Sequence, residues 1–404
     1  MGVSNVADLF DKIGGFTEAK EAMKMGIYPF FRALSDSEGV TATFEGKDVV
    51  MLGSNNYLGL TTDPRVRGAA EEALHRYGSS VTGSRFLNGT LELHLELERR
   101  LARFVNKDAA LVFSTGYQTN VGTVTAILGK GDYAILDKEA HASTVDGVMM
   151  SRGEMKRFKH NDVEDLDRVL SKIPEDAGKL VIIDGVYSMG GDIAPVPQII
   201  EICKHYNARL LLDDAHGVGV TGKGRGTASQ FGVTEDVDLI MGTFSKSFAS
   251  IGGFIAGSAD AIHYIQHHAR PLMFSAALPA PNAAAVLAAL DIIEHEPEHV
   301  ERTWQNADYM RHNLQELGFN TGNSVTPIIP VIIGEQYLTG ITWAALIEAG
   351  VYTNPVIPPA TPPNACLLRT SYIATHTHEH LDRALVAFKE VGERLDLIPT
   401  REPA

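Results

Sequence analysis

Five short apolar runs, ALVFSTG, YAILD, KLVIIDGVYS, ARLLLDDAHG and DLIMGTFSK, each stop at Gly, Asp or Ser. Helical segments such as QTNVGTVTAIL, VEDLDRVLSKI and PVPQIIEICKHY separate most of them. Runs that are apolar at successive positions suit strands covered on both faces, and their alternation with helices predicts an α/β fold around a largely parallel sheet. Ligands of such sheets bind beyond the carboxyl ends of the strands. There the chain places its least expected polar groups: Ser114, Thr115 and Gly116; Asp137 near His141; Ser188; Asp213, Asp214 and His216; Ser245 and Lys246. So many furnished strand ends predict a site.

At 404 residues the chain suits roughly two to three structural units. Residues 1–55 read as a helical and hairpin segment, 56–290 as a large domain carrying the sheet, and 291–404 as a smaller α+β domain. In the first, residues 5–34 are expected to form an amphipathic helix ending in YPFFRAL, and TATFEGKDVVMLG a hairpin turning at Glu45 and Gly46. DPRVRGAAEEALHRYG predicts a helix capped by Asp63 with Pro64 in its first turn. LHLELERRLARFV predicts another, with Glu96 and Arg100 one turn apart. An Ala-rich helix, PAPNAAAVLAALDIIEHE, leads into the smaller unit, which contains TPIIPVIIG, TWAALIEAG and NPVIPPATPPNACLLRTSY.

The formal charge of −15 argues against a nucleic-acid binder, which needs a basic surface to neutralise phosphates. No apolar run reaches the length of a spanning helix, and MGVSNVADLFDKIGG lacks the regions of a signal peptide, so a cytoplasmic chain is expected. Gly2 follows Met1, but nothing nearby supplies the second anchor that stable myristoyl attachment requires. Cys203 and Cys366 stand far apart and read as reduced core thiols rather than a disulfide or a metal site.

Lys246 sits between two serines, where a buried run ends and before the small residues of FASIGGFIAG. A lysine there can bind phosphate, pair with an acid or form a Schiff base; an exposed, snorkelling side chain is the commonest alternative. The flanks supply small and apolar neighbours and no acid, and desolvation of that kind lowers an amine's pKa and makes it nucleophilic. A Schiff-base lysine needs an aldehyde, and pyridoxal phosphate (PLP) is the common one. PLP also needs an acid against its pyridine nitrogen, a role open to Asp213, which as a strand-end residue can equally be a turn cap. STGYQTN leads from hydroxyls and a glycine into a helix N-terminus suited to phosphate. His141 can stack on the ring.

Two motifs compete. Residues 217–222 fit G-x-G-x-x-G, and the same stretch approaches a P-loop, but Gly224 stands where Ser or Thr must hold magnesium. KGRGTASQFG follows without the apolar period of a helix, so both read as chance matches on a glycine-rich loop. The histidines of THTHEH, His376, His378 and His380, read as a solvated face rather than a metal site.

With Lys246, Asp213, His216, His141 and STGYQTN in hand, the chain resembles the α-oxoamine synthases. The resemblance runs through YPFFRAL, GSNNYLGL, GSRFLNGT, DGVYSMGGDIAP, DDAHGVG, GTFSKSFASIGGF and LLRTS. Where the family usually reads D-E-A-H this chain has Asp214, keeping the matching Asp213 and His216. The resemblance implies a fold type I PLP enzyme of the aspartate aminotransferase kind, joining an amino acid to an acyl thioester with loss of carbon dioxide. It implies that Lys246 is the Schiff-base lysine and base, with Asp213 at the ring nitrogen, His216 at the phenolic oxygen and His141 on the ring face. Ser114, Gly116, Tyr117, Thr243 and Ser245 would surround the phosphate, and Ser275 would reach the phosphate of a partner subunit across a homodimer interface. Arg369 would engage the substrate carboxylate, with Asn55 and Ser188 nearby.

PPATP before LLR resembles the serine-using branch. That implies L-serine and a long-chain acyl thioester such as palmitoyl-CoA, or its acyl carrier protein counterpart, giving 3-oxosphinganine and allowing transient membrane contact. Relatives that use glycine or alanine, a non-catalytic partner subunit and an aminotransferase are the alternatives.

Overall fold

The computed structural model describes residues 8–399. Its centre is a seven-stranded sheet. From edge to edge the strands are Ala109–Phe113, Gly253–Gly257, Leu239–Thr243, Arg209–Asp213, Lys179–Asp184, Tyr133–Asp137 and Glu154–Phe158. Every pairing is parallel except those of Gly253–Gly257, which runs against both neighbours. The expected α/β sheet is present, with two strands that sequence reading passed over. EMKRF is an edge strand with mostly solvated side chains, so it lacks a buried strand's apolar signature. GFIAG is the reversed strand beyond the lysine turn.

The apolar runs are continuous because the sheet is covered on both faces. In Lys179–Asp184, Val181 and Ile183 pack with Leu166, Leu170 and Ile199, while Leu180 and Ile182 pack with Val124, Val148 and Leu211 on the opposite side. Parallel register brings the strand termini Asp137, Asp184, Asp213 and Thr243 to one edge of the sheet.

The hairpin forms as expected from Thr41–Phe44 and Lys47–Met51, with Glu45 and Gly46 at φ 51° and 78° in the turn. Its second strand pairs in parallel with Val351–Tyr352, so residues from both ends of the chain share one sheet and one core. A separate three-stranded sheet holds Ile328–Gly334, Cys366–Ser371 and Asn354–Val356. Asp63 caps the helix Pro64–Tyr77, as its sequence predicts.

Three expectations need correction. The amphipathic helix of residues 5–34, whose first residues lie outside those described, is two short helices, Asp11–Gly14 and Glu18–Lys24, followed by loop and strand. Gly14, Gly15 and Gly26 interrupt the helical pattern, and Pro29 prevents its continuation. Arg100 does not pair with Glu96; it reaches Asp291 at 2.6 Å and Glu294 at 2.5 Å on the Ala-rich helix, while Glu96 pairs with Arg99. His376 is not on a solvated face: it is buried, accepting from Ile373 N at 3.0 Å and lying 3.2 Å from the carbonyl of Met51.

Cys203 and Cys366 are free and buried. The glycine-rich loop leads into a short 3-10 turn, Gly222–Gly224, rather than a dinucleotide-binding helix. No cluster suited to a metal, and no helix long and apolar enough to cross a membrane, occurs among the described residues.

Candidate active site

Lys246 follows the strand Leu239–Thr243 in a turn held by Ala249 N to Lys246 O and Ser250 N to Phe244 O. Phe244 and Phe248 anchor that turn in the core. The glycine pair explains itself here. Gly252 has φ 119°, and a Cβ on Gly253 would come 2.8 Å from Gly116 Cα, so only glycine lets the returning strand pass the neighbouring helix. Burial pulls the Lys246 amine down to about 8 against the opposing pull of Asp213. Its flanks supply no acid, but the fold supplies Asp213 and Asp184.

Asp213 and Asp184 are register partners on adjacent strands. Asp213 Oδ2 accepts from Asn120 Nδ2 at 2.6 Å and Oδ1 from Ala215 N at 3.1 Å. Burial, then the charge of Asp213, push Asp184 well above the ordinary carboxyl range. Asn120 also donates to Ser143 Oγ at 2.9 Å, and Ser143 Oγ lies 2.7 Å from His141 Nδ1, so one buried amide ties the acid to the histidine.

His216 Nδ1 lies 2.8 Å from Tyr57 Oη, which receives Arg369 Nη2 at 3.2 Å. Burial, reinforced by Lys246 and Arg369, pushes His216 well below its ordinary value, so the ring is neutral. A guanidinium only donates, so Tyr57 Oη accepts from Arg369, and its single proton is shared between two acceptor positions, His216 Nδ1 and Asn55 Oδ1 at 3.4 Å. Arg369, buried on Cys366–Ser371, also donates to Ser188 O at 2.5 Å and Ser371 Oγ at 3.0 Å.

These residues face two joined cavities. One, of about 370 Å³, is lined by Gly116, Tyr117, Asn120, Asp184, Asp213, Thr243 and Ser245. The other, of about 650 Å³, is lined by Asn55, Ser188, Arg369 and the turn through Pro358. His141, His216 and Lys246 belong to both. Ser114 and Ser275 line neither: Ser114 Oγ donates to Ala276 O at 2.5 Å, and Ser275 Oγ accepts from Gln118 Nε2 at 3.1 Å.

The smaller cavity fits PLP. At one end the helix Gly116–Ile127 begins behind an extended Thr115, beside Thr243 Oγ1 and Ser245 Oγ, which lie 2.9 Å apart. A Cβ at position 116 would come 2.6 Å from Thr243 Oγ1, so glycine keeps the amide cradle clear. At the other end an acid stands on the floor, and the Lys246 amine forms no hydrogen bond or ion pair among the described residues.

Tyr57, Asn120 and Asp184 are the site residues that sequence reading missed. Each had a signal: Asp184 ends an apolar run, Asn120 falls one helical turn after Gly116, and Tyr57 lies in GSNNYLGL.

The profile of the class I and II aminotransferases matches residues 47–388. A serine palmitoyltransferase of Sphingobacterium spiritivorum is 44% identical, covering 96% of this chain and 98% of that one. An 8-amino-7-oxononanoate synthase of Thermoanaerobacter pseudethanolicus is 40% identical over 94% and 96%. A solved serine palmitoyltransferase of S. paucimobilis, bound to PLP and myriocin, superposes with a TM-score of 0.94 at 37% identity, covering 97% of this chain and 100% of that one. The chain belongs to the class I and II aminotransferase family, and within it to the PLP-dependent α-oxoamine synthases that include the serine palmitoyltransferases.

Proposed function

We propose that the chain condenses L-serine with a long-chain acyl thioester, releasing carbon dioxide and free thiol and leaving 3-oxosphinganine. The observation that carries this reading is a shared wall: Arg369, Asn55 and the turn through Pro358 face the same cavity as Lys246, His141 and His216. The curated relatives at 44–46% identity are serine palmitoyltransferases, which supports serine as the amino acid.

When bound, PLP supplies an aldehyde for Lys246 and a ring that takes up the electrons of the amino acid's α-carbon. In this reading Asp213 keeps a proton on the ring nitrogen. Gly116 and Tyr117 offer amides to the phosphate, with Thr243 and Ser245 beside them. His141 covers the ring face, and His216 hydrogen-bonds the ring's phenolic oxygen. Arg369 takes the serine carboxylate, a task suited to a planar fork of donors. Lys246, with a near-neutral pKa, removes the α-proton. The α-carbon then bonds to the thioester carbonyl carbon as the carbon–sulfur bond breaks and the thiol leaves. The bond from the α-carbon to the carboxylate then breaks, carbon dioxide leaves Arg369 and the bonding electrons stay on the α-carbon; Lys246 returns its proton there, and the departed sulfur takes one from solvent.

The same reading has two chains forming a homodimer. Phe274 is exposed and Ser275 stands off its own cavity, which supports a role for Ser275 at the partner's phosphate. Incubating purified protein with serine, glycine or alanine and a palmitoyl thioester, then weighing the product, tests the reading. Product formed with alanine and not serine would move the chain to the synthase relatives, and no product would reject both.

A further inference from the structure

The G-x-G-x-x-G pattern of Gly217, Gly219 and Gly222 opens only a 3-10 turn, yet each of its glycines meets a close neighbour. A Cβ on Gly222 would come 2.7 Å from Gln230 N, and one on Gly219 would collide with Ser247 Cβ, next to Lys246. A Cβ on Gly217 would collide with the carboxylate of Asp214, as would one on Gly226 or on Gly185. Glycines from two separate segments therefore make room for one acid side chain.

Asp214 directly follows Asp213 and stands two residues before His216. It is buried, with Oδ2 accepting from Thr227 N and Oδ1 from Thr227 Oγ1, both at 2.6 Å. Burial lifts its carboxyl to about 6 against the pull of those bonds. Its main chain is engaged as well: N donates to Met241 O at 2.8 Å, and O accepts from Gly217 N at 3.0 Å and Val218 N at 2.9 Å. One residue thus ties together the strand Leu239–Thr243, the turn of Asp213 and His216, and the far end of the glycine-rich loop. That loop is held in turn by Trp304 Nε1, which donates to Val220 O at 2.8 Å, and by the pairing of Val218 with Arg225.

We infer that Asp214 is a positioning residue of the coenzyme site: by closing the glycine-rich loop through Thr227, it fixes the turn from which Asp213 and His216 meet the ring. Burying a carboxylate costs free energy, and charge-assisted bonds from one residue to both of its oxygens set a single orientation. Removing the acid leaves Thr227 N without that partner and frees the loop end from the turn. The inference concerns coenzyme binding, so it stands apart from which amino acid and thioester the chain takes.

The test titrates cofactor-free protein with PLP and follows absorbance and thermal melting. Asp214→Ala should raise the Kd for PLP about tenfold or more and shift the absorbance maximum of the bound coenzyme. Thr227→Val, which loses only the hydroxyl, should raise Kd about threefold, and Thr227→Ser, which keeps it, should bind as wild type does. In the Asp214→Ala background Thr227→Val should add nothing further, because its partner is already gone. An unchanged Kd and spectrum, with equal falls in melting temperature for the cofactor-free and cofactor-bound forms, would make the acid a structural link alone and overturns the inference. Losses from the two substitutions that simply add overturn it as well. Should Asp214→Ala not fold, the contrast between Thr227→Val and Thr227→Ser decides, and equal Kd values in those two reject the role of the acid.

Discussion

His160 Nε2 lies 2.8 Å from the carboxylate of Asp192, on the loop that carries Ser188. Its other ring nitrogen is 3.0 Å from Asp137, and Glu139 stands at 3.8 Å. Burial pulls this imidazole down, but Asp137 and Asp192 outweigh it and raise it to about 10. The imidazolium thus clamps the loop whose Ser188 carbonyl receives Arg369. His160→Gln should raise the KM for serine by at least about tenfold while changing kcat less, since a charge-assisted link is lost away from the reacting atoms. The pH dependence has a definite sign. The folded value lies above the unfolded one, so the contribution to stability is complete below about 6.5 and disappears as pH rises through about 10. Urea unfolding should show wild type and variant far apart at neutral pH and converging above about 10.

Lys246 carries the reaction in the proposed mechanism. Lys246→Ala should lower turnover at least about a hundredfold and remove the visible absorbance of the cofactor-bound protein. In the cofactor-free protein, reductive methylation with labelled formaldehyde should give one dimethyl-lysine resonance that titrates near 8, absent in Lys246→Arg. A midpoint near the ordinary 10.5 would show that burial does not depress this amine. Between those two values the unfolded chain holds the extra proton, so this group favours folding increasingly as pH rises.

Asp213→Asn keeps the partners at Asn120 and Ala215 within reach but removes the charge. The fold should survive with a similar melting temperature, while exchange of the serine α-proton in heavy water slows at least about a hundredfold. Equal exchange rates would assign the ring nitrogen to another group.

Arg369→Lys keeps a cation and loses the fork that meets Ser188, Ser371 and Tyr57 together. The KM for serine should rise about ten- to a hundredfold, and kinetics with serine as the varied substrate measure it. A change confined to the thioester KM would move Arg369 to the acyl side.

The sheet and the lysine were legible because their signals are local. An apolar run, the residue that stops it and the small residues after Lys246 all lie in one short stretch. The residues that complete the site were hidden because distant pairings make them. Asn120 meets Asp213, and Tyr57 meets both His216 and Arg369, only after the helix and the N-terminal loop dock at the sheet edge. Competition misled two readings. Arg100 is one turn from Glu96, yet the packed helix behind it offers two carboxylates. His376 stands in a polar string, yet it turns inward to serve two backbone groups.

The parallel pairing of Lys47–Met51 with Val351–Tyr352 sets the order in which a growing polypeptide becomes competent. Every strand of the central sheet has been made by residue 257, but Leu278 and Ala283, which pack with Phe244 and Phe248, and Asn354, whose amide donates to Gly53 O at 2.6 Å, are still to come. A polypeptide cut short between Gly257 and Asn354 would carry Lys246 and every strand of the central sheet, yet lack the strand Cys366–Ser371 that holds Arg369.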